Sequence, residues 1–109
     1  MPYDERLAER ARQALQGRRG LSEKKMFGGI GFLLHGNVCV GVWREYLILR
    51  LGPEQAEDGL REPFVKPFDI TGRAMSGWVM VESRGVDDEA ALAEWIGQAI
   101  SFVETLPAK

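Results

Sequence analysis

The fold is decided by residues 24–51, which read KKMFGGIGFLLHGNVCVGVWREYLILRL. This stretch is rich in β-branched and aromatic residues and divides into three apolar runs of strand length, at residues 29–35, 38–43 and 46–51. Gly36 and Asn37 separate the first two runs, and both residues tolerate the positive φ that a two-residue hairpin turn requires. The stretch therefore predicts antiparallel strands joined by short turns, with Gly36-Asn37 as the first turn.

The last of these runs predicts one buried and one partly exposed sheet face. Side chains alternate along a strand, and every second residue of this run, from position 47 to 51, is leucine. We expect the leucines to face the core, as in an antiparallel sheet that is covered on one side. The residues between them, Tyr46, Ile48 and Arg50, are expected on the other, semi-exposed face.

Glycines are unusually frequent in this strand material, at Gly28, Gly29, Gly31, Gly36 and Gly41. Glycine inside a strand marks a bulge, a sharp bend or a close backbone approach, so we predict a strongly bent or bulged sheet. A phosphate-binding loop is disfavoured, because no lysine-serine or lysine-threonine pair follows and the next segment is a strand.

Composition bounds the class of protein. The chain has 109 residues, a net charge of −2 and one cysteine, Cys39, so we expect one domain without an internal disulfide, with Cys39 as a core residue. A pI near 5.4 argues against bulk electrostatic binding to nucleic acid or anionic membrane. Residues 1–20 contain no apolar stretch, and no run reaches the length of a membrane span. We expect a cytoplasmic protein without a membrane partner.

The remaining segments complete an α+β pattern. Helical periodicity predicts long helices at residues 3–16 and 87–105 and a short helix at 53–61. Further strands are expected at residues 21–27, 68–71 and 77–82, with an extended connector or edge at 62–67. Strands clustered between helices predict a two-layer α+β fold with an antiparallel sheet, in the order α-β-β-β-β-α-β-β-α.

Charge is distributed unevenly along the chain. Residues 1–25 contain seven Lys or Arg against four Asp or Glu, whereas residues 85–109 contain one against five. Three interpretations stay open: a basic patch for an acidic partner, two ends of the chain that attract each other, or two unrelated solvated faces.

No catalytic, metal or cofactor-binding residue is predicted. His35 is the only histidine, and nothing in the spacing places it with Ser76 or Cys39 for nucleophilic catalysis. The acids at residues 87–89 are better explained as caps at a helix start. We therefore expect a protein that is not an enzyme, with a small enzyme or small-molecule sensor as an alternative.

Aromatic residues on or beside strands offer a second alternative. Such residues, with nearby cations, can bind single-stranded nucleic acid on a sheet surface. The aromatic residues concerned are Phe27, Phe32, Trp43, Tyr46 and Trp78. In a domain this small we expect at least three of the five to be core residues.

Several motifs resemble those of the TfoX (Sxy) N-terminal domain family. They are EKKMFGGIGF at residues 23–32, GN at 36–37, LRLG at 49–52 and TGRAMSGWV at 71–79, with a closing segment from Trp95 to Pro107. The resemblance implies a stand-alone single domain over residues 1–109, with a fold like that of type III secretion chaperones. Its founding members regulate natural competence, acting with the cyclic-AMP receptor protein on transcription. The structural signature comprises Gly28, Gly29, Gly31, Gly36, Asn37, Gly72 and Gly77.

The leading functional hypothesis is a non-enzymatic regulatory module that binds a protein partner. Its predicted interaction surface comprises Lys24, Lys25, Arg73, Met75 and Trp78. The alternative is a nucleic-acid-associated regulator that uses the basic region at residues 18–25. A homodimer also stays open, because an open antiparallel sheet has edges that need covering.

Overall fold

The structure, a computed structural model, describes residues 3–26, 28–69, 72 and 75–109. The fold is α+β, with one six-stranded antiparallel sheet and helices at both ends of the chain, in the predicted order. The elements are α1 (Glu5–Leu15), β1 (Leu21–Met26), β2 (Gly29–Leu34), β3 (Asn37–Trp43), β4 (Tyr46–Arg50), α2 (Pro53–Gly59), β5 (Val65–Pro67), β6 (Trp78–Glu82) and α3 (Glu89–Val103), with a 3₁₀ turn at Ser83–Val86 before α3. The strand order across the sheet is β1-β2-β3-β4-β6-β5.

The two long helices begin at aspartates, and the second of these lies among the acids predicted as caps at residues 87–89. The carboxylate of Asp4 accepts a hydrogen bond from the Leu7 amide at 3.0 Å, and that of Asp88 accepts one from the Ala91 amide at 3.3 Å. Each bond satisfies an amide that has no partner within its own helix. The first turn of each helix is thereby fixed next to the sheet.

Both long helices cover the same face of the sheet. α3 contacts β3 and β4, and α1 packs against α3 and β3. Leu47, Leu49 and Leu51 are at most 1% exposed in the core between the layers, as their alternation predicted. The apolar stripe of α3, with Leu92 and Ile96, lies in the same core.

The hairpin between β2 and β3 turns one residue earlier than predicted. His35 and Gly36 form the turn with φ of 51° and 84°, and Asn37 already pairs with Leu34 as the first residue of β3. Asn37 is 3% exposed, and its side-chain amide donates to the Pro107 carbonyl at 2.9 Å. That bond holds Asn37 in the strand and leaves the positive φ to His35. The second turn, with Arg44 at φ 54°, is as predicted.

The prediction of a strand at residues 68–71 is wrong at Phe68 and Asp69, the two of these residues that the structure describes. β5 covers Val65–Pro67, so the segment 62–67 contains the edge strand that was its second interpretation. Phe68 and Asp69 lie outside any strand, because the Phe68 carbonyl accepts from the Met75 amide at 3.1 Å and not from a residue of β6. Ile70 and Thr71 lie outside the described residues.

The glycine signature reflects close packing and turns. A Cβ at Gly29 would lie 2.0 Å from the Val42 carbonyl oxygen, so only glycine fits between β2 and β3. The predicted bulge exists, although it lies at Cys39, where the register of β2 and β3 shifts. Positive φ occurs at the remaining turn positions of the signature, Gly28, Gly36, Gly72 and Gly77.

Gly29→Ala should lower the free energy of unfolding by about 2 kcal/mol or more, because β2 and β3 must separate to admit the methyl group. Gly97→Ala is the matched control, since Gly97 is exposed on α3 and an added Cβ would meet nothing within 4 Å. The control should gain about 0.5–1 kcal/mol from helix propensity. Urea denaturation of both variants measures the difference, and equal stabilities would contradict the close approach at Gly29.

Candidate functional site

The sheet side that faces away from α1 and α3 carries a second, smaller apolar cluster. Ile48, Phe68 and Met80 are its buried members, and half-buried aromatic side chains from Trp43, Tyr46 and Trp78 pack around them. We call this side the open face. Side chains alternate between the two sheet faces along β4 and β6. Ile48 and Met80, which pair with each other, face the open side, and their neighbours along each strand face the helices.

The aromatic rings of the open face form two groups. Trp43 and Tyr46 are stacked with ring centroids 6.0 Å apart, and Phe68 lies 5.6 Å from Trp78. The expectation that at least three of the five strand aromatics are core residues is therefore wrong. Phe32 is fully buried in the main core, and Phe27 lies outside the described residues. The few helices predicted from the sequence suffice to cover only one face of the sheet, which that expectation did not take into account. Aromatic residues on the other face are therefore only half-buried.

A cation lies over each ring that borders the open face. The Arg44 guanidinium is 4.5 Å from the Trp43 ring centroid, and that of Arg50 is 5.3 Å from Trp78. The Lys66 ammonium is 5.3 Å from the Tyr46 centroid. Each contact contributes about 0.5–1 kcal/mol at an exposed site. The rings thus hold three cations at fixed places on the open face.

Two of these cations have no acidic partner among the described residues. Lys66 lies 3.9 Å from the Glu82 carboxylate, whereas neither Arg44 nor Arg50 contacts a described carboxylate. Glu45 is exposed in the turn beside Arg44 and makes no such contact. A guanidinium held over a ring keeps its N–H edge available for a carboxylate or phosphate. The open face can therefore bind an anionic group at two points.

The two free guanidiniums lie at opposite ends of β4. Arg44 belongs to the turn before Tyr46, and Arg50 is the last residue of the strand. Tyr46 and Arg50 are four residue steps apart along the extended strand, or about 14 Å. An anionic ligand that engages both guanidiniums must therefore reach from one end of β4 to the other.

The predicted interaction surface is spread over the sheet. Lys24 pairs with Gly31 on the side of the open face, whereas Lys25 pairs with Ile30 on the helix side. Trp78 lies on β6, four strand positions or about 19 Å from β1. Met75 is 46% exposed next to Trp78, and Arg73 lies outside the described residues. The structure thus brings Met75 and Trp78 together and separates both from the lysines.

Much of the basic N-terminal region is paired with acids. Three arginines make these contacts: Arg10 with Glu89 at 2.7 Å, Arg12 with Glu23 at 2.6 Å, and Arg18 with Glu104 at 3.3 Å. The first and third connect the α1 region with α3 and its end. The uneven charge along the chain therefore reflects, in part, two ends that attract each other.

A polar groove of about 510 Å³ lies between α2 and α3, on the helix side of the molecule. The Trp95 and Phe64 side chains form its apolar wall, and Asp58 and Glu94 are among its acidic residues. Arg84 lies over the Phe64 ring at 4.7 Å and occupies part of the rim.

No helix in the described part of the chain is long and apolar enough to span a membrane.

A family model decides where the chain belongs. The model of the TfoX N-terminal domain matches residues 13–103. The chain belongs to the TfoX N-terminal domain family. Comparison with curated proteins and with solved structures found no match, so the likeness to type III secretion chaperones stays a prediction.

The reactive side chains of this TfoX N-terminal domain lie apart from the open face. Cys39 is fully buried, and burial raises the pKa of its thiol to about 12. His35 lies in the β2–β3 turn, with its ring against Gly20. Within residues 3–26, 28–69, 72 and 75–109, no three His, Cys, Asp or Glu side chains are grouped as metal ligands would be.

The Cys39 thiol should react with a soluble disulfide reagent on the order of a hundredfold more slowly in the native protein than in urea. Reaction requires an opening of the core, and the thiolate fraction is small at pH 8 because the thiol pKa is raised. Absorbance of the released thiolate measures both rates. A native rate close to the unfolded rate would show an accessible thiol and revive nucleophilic chemistry.

Proposed function

We propose that this TfoX N-terminal domain is a non-enzymatic regulatory module that binds a protein partner through the open face. The family supports a regulatory domain, and the transcriptional, cytoplasmic setting of its founding members is part of the proposal. The observation that carries the binding site is the pair of guanidiniums, Arg44 and Arg50, held over Trp43 and Trp78 without a carboxylate among the described residues.

The partner that fits this surface carries an acidic segment. Carboxylates are the groups that a guanidinium edge binds in pairs. Half-buried rings beside the guanidiniums add apolar area, and aromatic and arginine side chains are enriched where protein interfaces have their largest energies. An isologous contact between two open faces is disfavoured, because it would bring these cations towards one another.

A single-stranded nucleic acid is the competing ligand. Each of the three rings already has an aromatic neighbour and a cation beside it, which leaves less ring surface on which a base can stack. The net charge of −2 also opposes a polyanion. These observations favour carboxylates over a phosphate backbone.

Affinity capture from a lysate of the source cell, with and without nuclease, tests the proposal. The wild type is compared with Arg44→Glu/Arg50→Glu and with a control of equal charge change, Arg6→Glu/Arg61→Glu, at exposed positions away from the open face. We expect the same protein to be captured by wild type and control after nuclease. The open-face variant should capture at least tenfold less, because two charge-assisted contacts become repulsive.

Two results would overturn the proposal, provided that circular dichroism shows all variants folded. Capture that is equal for the wild type and the open-face variant would remove the open face as the binding site. Partners that disappear with nuclease would replace the protein-binding function with the nucleic-acid alternative.

A further inference from the structure

β1 is an edge strand whose outer side is unpaired. It pairs with β2 over all six of its residues, Leu21–Met26, and no described strand lies beyond it. In an antiparallel edge strand, every second residue directs its N–H and C=O away from the sheet. The opposite edge is unlike it, because β5 has three residues and includes Pro67, which lacks an N–H. β1 is thus the edge that can accept another strand.

The uncompensated charges on β1 are positive, because its one acidic residue, Glu23, is paired within the molecule. Glu23 accepts two hydrogen bonds from the Arg12 guanidinium, at 2.6 and 2.9 Å, and these bonds lower the pKa of its carboxyl. Its charge is therefore compensated within the molecule. Lys24 and Lys25 are both exposed and contact no described acid, one on each face of the sheet. The edge presents two free positive charges.

A second copy of β1 complements the charges of this edge less well than an acidic strand does. In an antiparallel pair, residues of the same face lie opposite each other, so a two-fold register centres on one residue that meets itself. Centring on Lys24 or Lys25 places two lysines directly opposite each other, which is destabilising. Centring on Glu23 places Lys24 opposite Ser22 and Lys25 opposite Leu21, so neither lysine gains an acidic partner. Centring on Ser22 leaves only about half of the strand paired. No two-fold register therefore places a carboxylate opposite both lysines, whereas an acidic strand can do so.

We propose that β1 accepts an extended acidic segment of a partner protein as a seventh strand of the sheet. Main-chain hydrogen bonds to the free edge supply affinity, and two adjacent acidic residues opposite Lys24 and Lys25 select the segment. Apolar residues of the segment would lie opposite Leu21 and Met26, which are half-buried at the strand ends. This site is separate from the open-face arginines.

The probe is the capped hexapeptide Val-Glu-Glu-Thr-Thr-Val, designed to pair antiparallel with its glutamates opposite Lys25 and Lys24. Titration into ¹⁵N-labelled protein, followed by amide chemical shifts and amide exchange, should locate binding at residues 21–26. The Lys24→Glu/Lys25→Glu variant should bind at least tenfold more weakly, because two attractive pairs become repulsive. The control Arg6→Glu/Arg61→Glu, which has the same charge change elsewhere, should bind like the wild type.

Two modified peptides separate strand addition from simple charge attraction. The same peptide with N-methyl groups on alternate amides keeps its charges but loses main-chain donors, so it should no longer bind. Val-Lys-Lys-Thr-Thr-Val keeps its donors and reverses the charge, and it should bind at least tenfold more weakly than the acidic peptide.

The proposal is overturned if the wild type shows no shifts at millimolar peptide, if shifts lie outside β1, or if the N-methylated peptide or the lysine variant binds equally well. Amide spectra of the free variants confirm that they are folded. Arg44→Glu/Arg50→Glu should retain peptide binding, so failure of the open-face function and failure of this inference give different results.

Discussion

The burial of one apolar sheet face under α3 is the constraint on which the rest of the structure depends. Leu47 and Leu49 of β4 and Val40 and Val42 of β3 are fully buried there. Burying such side chains contributes about 1.5–3 kcal/mol each, which orients α3 across the centre of the sheet. α1 then packs beside α3 on the same side. Two helices on one side leave the other side to be protected by the sheet's own side chains.

On the open face, which neither long helix covers, aromatic side chains and cations protect the apolar residues of the sheet. Ile48 is fully buried although no described helix covers it, because rings from β3, β4 and β6 surround it. The cations above the rings keep this apolar cluster compatible with water. The rings and cations that protect this side of the sheet thus also hold guanidiniums at fixed positions on its surface. The proposed function depends on these guanidiniums. The edge at β1 follows from the same open sheet, in which β1 and β5 are the two edge strands.

The sequence predicted the parts of this fold that depend on local chemistry. The helix cap at Asp88, the leucine face of β4 and the order of elements are visible in periodicity and capping residues. It did not predict what depends on distant contacts. The β2–β3 turn is displaced by one residue because Asn37 bonds to Pro107, and β5 ends at Pro67 because Phe68 bonds to Met75.

The candidate site was predicted only in part, for the same reason. The predicted interaction surface includes Met75 and Trp78 and stays a prediction, whereas Arg44 and Arg50 were interpreted only as turn and strand residues. Their position over Trp43 and Trp78 depends on the pairing of β3, β4 and β6, which lie apart in the chain. The ion pairs of the N-terminal arginines with Glu89 of α3 and with Glu104, just after α3, likewise require the tertiary structure.

The central claim is that the open face presents half-buried aromatic rings in a positively charged setting. Fluorescence quenching by iodide and by caesium, in three variants that each keep one of the three tryptophans, tests it without a partner. Trp43 and Trp78 should be quenched more by iodide than by caesium, because Arg44 and Arg50 lie beside them. Trp95, in the groove with Asp58 and Glu94, should show the opposite preference. Equal ratios at all three positions, or no quenching of Trp43 and Trp78 by either ion, would contradict the account.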